Sequence, residues 1–129
     1  MTTPRRQRRG SDRGAVSTEI ALAAPILVLL LIALIYGFAW ANASYAARSA
    51  AHQAVQSARV VNGDPGTAQA EAVQTMRERS GVTNVQVVVD RGQQTTTATV
   101  TTTISTPFGP LQVEYTAVAP TERWAPLTP

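Results

Sequence analysis

A chain of 129 residues with a formal net charge of +3 has room for one domain, and its lack of cysteine excludes disulfides and thiolate metal sites. The high pI, near 10.2, is local in origin: Arg5, Arg6, Arg8, Arg9 and Arg13 crowd the N-terminus, whereas from Asn42 onward six arginines face six acids. That second region offers no extended basic groove, so nucleic acid is not an expected partner.

After the basic leader, residues 1–14, comes an N-terminal segment over 15–41 whose stretch from Ile20 to Trp40 holds 21 residues without a charge. As a helix rising 1.5 Å per residue it spans about 31 Å, the hydrocarbon thickness of a bilayer. Twelve of its residues are Leu, Ile, Val or Phe, each favouring insertion by roughly 0.3–0.6 kcal/mol, which outweighs one Pro and one Gly. A buried core helix is the alternative, but fewer than 90 residues remain to surround a helix apolar on every side. The arginine cluster precedes the span and the first basic residue after it is Arg48. The expected topology is a single pass through the cytoplasmic membrane with the N-terminus inside and the remainder outside. Tyr36 and Trp40 fall near the outer end, where aromatic rings favour the headgroup layer.

Two residues are foreign to a plain anchor. Glu19 abuts the apolar run, and Gly14 precedes it by five positions within RGAVSTEIALAAP. A carboxylate at the membrane edge of a helix costs free energy unless it reaches water, protonates or pairs, which makes it a functional candidate.

This stretch resembles the type IV prepilin class, whose short basic leader ends in Gly and is removed by a prepilin peptidase. The resemblance implies that Gly14 ends the leader, that Ala15 becomes the first mature residue, and that Glu19 is the fifth, where the class carries its glutamate. In the class that carboxylate is thought to neutralise the new amine of a neighbouring subunit during assembly. Within the class, Glu19-Ile20-Ala21-Leu22-Ala23-Ala24-Pro25 is similar to the pattern of TadE-like minor pseudopilins of tight-adherence (Flp-type) pilus systems. Ile20 stands where many members have Phe, and the chain is longer than the Flp major pilins, which place Tyr after the glutamate. The resemblance covers Arg9 to Trp40. It implies a membrane protein of pilus or secretion-fibre assembly, with the peptidase, other pilins or pseudopilins and the assembly machinery as partners. Loss of five arginines and one aspartate with the leader would take the formal charge from +3 to −1.

Two other leaders compete. Ala41-Asn42-Ala43 fits the small-residue site of signal peptidase and would release a small secreted domain from Ser44, although the apolar run exceeds the usual 7–15 residues. Arg5-Arg6 suggests twin-arginine export, but Gln7-Arg8-Arg9 follows instead of apolar residues. A third reading is an unprocessed, membrane-tethered binding module.

Beyond Trp40 the helical period continues, giving one helix from about Val16 to Val61 with Ala47, Ala50, Ala51, Ala54, Ala58 and Val61 on one face. Such a stripe, like Pro25 within the span, is a candidate for helix packing. It suits either neighbouring subunits or the chain's own sheet. Asn62 to Gly66 interrupts the helix, with Asp64 as N-cap and Pro65 opening a second helix to about Ser80. Ala68, Ala72, Val73 and Met76 form its apolar face, Arg77 and Arg79 its last turn, and Gly81 its close. Three strands follow. Val85, Val87 and Val89 alternate before a turn at Asp90-Arg91-Gly92, and Ala98, Val100, Thr102 and Ile104 alternate before a connection at Pro107-Phe108-Gly109-Pro110. Leu111, Val113, Tyr115 and Ala117 complete the third. The threonines from Thr95 to Thr106 suit a strand and also offer hydroxyls for glycosylation.

The expected fold is therefore α+β, pilin-like: a long N-terminal transmembrane helix, then a second helix and a small antiparallel three-stranded sheet forming an extracytoplasmic head over 42–119, with a loose tail from Pro120. His52 is the only histidine, and the acids of the head lie at 64, 71, 78, 90, 114 and 122 without paired or ligand-like spacing. Gly63-Asp64-Pro65-Gly66 lacks the Gly-Lys-Ser/Thr that completes a phosphate loop. No enzyme, metal, cofactor or small-molecule substrate is expected.

Overall fold

A computed structural model of the chain describes Thr2 and residues 12–123, the side chains of Asp12 and Arg13 excepted. Most of the basic leader and the last six residues of the expected loose tail lie outside the described residues. Helix α1 runs Asp12–Arg59, helix α2 Pro65–Ser80, and strands β1 Val85–Arg91, β2 Thr95–Thr106 and β3 Gly109–Pro120 follow. The chain divides into two compact units, Met1–Ile35 and Tyr36–Pro129.

The first unit is helical from Asp12, carries Pro25 within the helix, and has no buried residue from Gly14 onward. A proline lacks the N–H that would bond the carbonyl four residues back, a loss better tolerated where neighbouring groups can satisfy that carbonyl.

The second unit is a small α+β head. Its sheet is antiparallel in the order β1-β2-β3, with Val87 opposite Val100 and Val100 opposite Tyr115. Period-two alternation puts Thr96, Ala98, Val100 and Thr102 of the central strand on the buried side, leaving Thr97, Thr99, Thr101 and Thr103 toward solvent. One continuous core joins Val87, Ala98, Val100, Val113 and Ala117 of the sheet to Ala68, Ala72 and Met76 of α2. The C-terminal half of α1 completes it with Ala43, Ala46, Ala47, Ala50, Ala51, Ala54, Val55 and Ala58. The alanine stripe is thus buried within the chain's own head, against α2 and the sheet. Alanine is what close approach requires. Each buried methyl contributes only roughly 0.8 kcal/mol, so this core relies on many small contacts around Met76 and a few valines.

The helix ends obey local chemistry. The Asp64 carboxylate accepts the N–H groups of Gly66 and Thr67 at 3.2 Å each and the Thr67 hydroxyl at 2.7 Å, with Pro65 at the first helical position. Gly81 closes α2 at φ 66°, its N–H reaching the Arg77 carbonyl at 3.1 Å.

Four expectations need correction. Helix α1 stops at Arg59 and not at Val61, because Asn62 adopts φ 63°, a left-handed conformation that ends the helix; Val61 consequently lies outside the core, 44% exposed. The first hairpin turns later than Asp90-Arg91. Both residues stay paired, with Thr97 and Thr96, and Gly92-Gln93-Gln94 makes the connection. The Gly92 N–H donates to the Thr95 carbonyl at 2.8 Å, and an added Cβ would stand 2.8 Å from that oxygen, so glycine marks the turn itself. The second connection shrinks to Pro107-Phe108, because Gly109 and Pro110 already pair with Thr106 and Ser105 on an edge strand that tolerates proline. Pro120 still belongs to β3 rather than to a loose tail, and the chain beyond it is held as far as Glu122: the Thr121 N–H donates to the Gln94 carbonyl and the Glu122 N–H to that of Arg59.

Candidate functional site

The candidate site begins in the first turns of α1. A Cβ built on Gly14 would meet nothing within 4 Å, and Gly14 does not adopt a positive φ, so neither packing nor backbone conformation calls for glycine there. In a helix glycine costs about 1 kcal/mol relative to alanine. Among the described residues, then, neither a close neighbour nor a positive φ requires glycine at this position. The Thr18 hydroxyl donates to the Gly14 carbonyl at 2.9 Å, a local bond one turn apart. Ala15 and Glu19 are both exposed, and their spacing of four places them on the same helix face, about 6 Å apart along the axis. Glu19 has no hydrogen-bond or ion-pair partner among the residues whose side chains are described.

From Ile20 onward α1 exposes an unbroken apolar surface, reaching 70% exposure at Leu34 and 76% at Phe38. Soluble monomers rarely leave more than a few hundred Å² of contiguous apolar surface in water, and this helix is long and apolar enough to cross a bilayer once. Within this chain it is no core helix, since no residue from Gly14 to Trp40 is buried.

Pro25 likewise stands exposed, whereas Ala47, Ala51, Ala54 and Ala58 are fully buried in the head. The residues grouped as helix-packing candidates therefore part company: Pro25 is open to an outside partner and the four alanines are not. Ala43, the last residue of the alternative signal-peptidase site, is also completely buried, whereas Ser44, where that mature chain would begin, is half-buried.

The titratable side chains of the head form no metal-binding cluster among the described residues. No group of three His, Asp or Glu side chains is close enough to hold a metal. His52, the only histidine, is exposed on α1 and its Nε2 lies 3.2 Å from the Tyr115 hydroxyl, with the rings tilted at 52°. Asp64 titrates below the ordinary carboxylate value because the Thr67 hydroxyl and then the Gly66 and Thr67 N–H groups bond its ionised form. Its role is that of a cap.

Two features escaped sequence reasoning. Arg91, read as a turn residue, donates from Nη1 to the Gly63 carbonyl at 3.0 Å and so ties the end of β1 to the loop between the helices. A cleft of about 340 Å³ is lined by Trp40, Ala41, Ser44, Tyr45 and Arg48 of α1 together with Tyr115 of β3. Its signal was the placement of Trp40, Ser44 and Arg48 at four-residue intervals, but the β3 wall required the fold. Against this chain no family model, no curated protein and no solved structure matches.

Proposed function

We propose that this protein is a pseudopilin-like, single-pass membrane protein that takes part in assembling a tight-adherence (Flp-type) pilus or a related secretion fibre. In this reading a prepilin peptidase removes the leader at Gly14, the N-terminus faces the cytoplasm and the head lies outside. The observation that supports it is an exposed Glu19 at the edge of a bare apolar helix, without a partner among the residues whose side chains are described, five positions after a glycine whose added Cβ would meet nothing. A protease must admit backbone at its cut site, and the first turns of a helix are where backbone opens most readily. Cleavage would create an ammonium at Ala15 one helical turn from the Glu19 carboxylate. Both charges are costly in a low-dielectric helix bundle when apart and much less so when paired, either within the chain before assembly or with a neighbour after it.

The exposed helix surface through Pro25 supplies what such a fibre packs together, first against lipid and then against other subunits. The reading assigns the chain no reaction of its own. Its test is Glu19→Ala in the native host: the variant should still insert into the membrane while its recovery in sheared fibres falls at least tenfold. Unchanged incorporation would remove the pairing role from Glu19.

A further inference from the structure

We infer that the cleft between α1 and Tyr115 receives the phosphodiester headgroup of a membrane phospholipid. The inference rests on the reading of Ile20 to Trp40 as a bilayer span, and it adds a ligand that an ordinary span does not require.

The cleft starts where the uncharged segment ends. Trp40, its last residue, lines the wall together with Ser44 and Arg48, which follow at four and eight positions on the same helix face, and Tyr45 stands beside them. Arg48 lies about 12 Å beyond Trp40 along the helix axis, but helical side chains lean toward the N-terminus and a long arginine reaches back by about a turn. That brings its guanidinium to the level of the headgroup layer, which adds roughly 5–7 Å to each side of the hydrocarbon. Trp and Tyr rings favour the same layer, with the apolar body toward the chains and the polar edge toward water.

Charge agrees with the location. Arg48 is exposed, and among the described residues no carboxylate lies within ion-pair distance of it, the one ion pair there being Arg59 with Glu122. Tyr45, 74% exposed, lines both this cleft and a second, smaller one that it shares with Asn42, Ala46 and Arg79. The opposite wall is held in place, since the Tyr115 hydroxyl lies 3.2 Å from His52 Nε2. An aromatic-walled cleft with a free guanidinium matches an anionic phosphodiester flanked by apolar chains, and a planar guanidinium binds two phosphate oxygens at once.

The test uses the full chain in maltoside micelles, with Trp124→Phe leaving Trp40 as the sole tryptophan reporter. Phosphatidylglycerol should change Trp40 emission saturably, and Arg48→Gln should raise the apparent Kd about tenfold, as expected for one charge-assisted contact, with Arg48→Lys falling between. Unchanged far-UV circular dichroism in both variants establishes that the head is intact. An equal Kd in Arg48→Gln, or the same emission change produced by inorganic phosphate alone, would overturn the inference. Alkaline carbonate extraction of the chain from native membranes separates the two failures. A chain released from the membrane contradicts the span and this site together, whereas a retained chain with an unchanged Kd contradicts this site only.

Discussion

The Glu122 N–H donates to the Arg59 carbonyl at 2.8 Å, and the two side chains meet again as an ion pair at 3.5 Å, so the residue just past β3 is clasped to the last residue of α1. Arg91 adds a long contact from Nη2 to the Glu122 carbonyl at 3.5 Å, and Thr121 bonds both Thr96 and the Gly92 carbonyl. Only the ion pair uses the Glu122 side chain, and it is partly exposed. Glu122→Ala should therefore cost less than about 1 kcal/mol in a denaturant melt of the detergent-solubilised chain. Truncation after Pro120 removes the backbone bonds as well and should cost more. Equal losses for the two variants would mean that the side chain, not the backbone, holds the clasp.

The alanine stripe should behave as core. Ala51 has no exposed surface, and Ala51→Leu should lower head stability by about 1–3 kcal/mol through overpacking. Met76→Ala, at the largest fully buried side chain, should cost about 2–5 kcal/mol. Ala24→Leu, on the exposed part of α1, should leave the thermal transition of the head unmoved. A neutral Ala51→Leu would show that the stripe is not packed as described.

Asp64 makes the head's stability depend on pH in a defined direction. Its carboxyl titrates below the ordinary 3.8 in the folded chain, chiefly because the Thr67 hydroxyl donates to the ionised form. The folded value being the lower one, its contribution is whole above the unfolded value and is lost as pH falls through the folded one. Asp64→Ala should lower the Tm at pH 7, and the difference from the parent should vanish in acid below the folded value. A difference that persists unchanged there would remove the charged cap as its cause.

Where the sequence was informative, the reason was a local rule. Asp64, Pro65 and Gly81 bound α2 because capping chemistry is written within one turn, and β2 occupies Thr95–Thr106 because strand-favouring threonines fill it with Ala98, Val100, Thr102 and Ile104 at alternate positions. Turn positions were less legible. Whether Arg91 pairs or turns depends on its register with Thr96, which only the partner strand decides. The destination of the alanine stripe was open for a related reason: a small-residue face accepts any close neighbour, and its neighbour here is brought by a sheet that starts more than twenty residues later. At the candidate site, Gly14 and Glu19 were visible as residues, but that a Cβ at Gly14 meets no described neighbour is legible only in the fold. The cleft against Tyr115 was invisible because its far wall comes from β3.

Gly14→Ala isolates the processing role, because a methyl there meets nothing and slightly favours the helix. The variant should insert normally and keep its leader, migrating as the unprocessed form in native membranes. Normal maturation of Gly14→Ala would contradict the requirement for glycine at the cut.

The most direct test is the mass of the N-terminal peptide of the protein isolated from its own cells. Cleavage by a prepilin peptidase leaves a chain beginning at Ala15, without the five leader arginines and with a formal charge of −1. A chain beginning at Met1 would contradict maturation at Gly14, and one beginning at Ser44 would replace the anchored fibre subunit with a secreted domain.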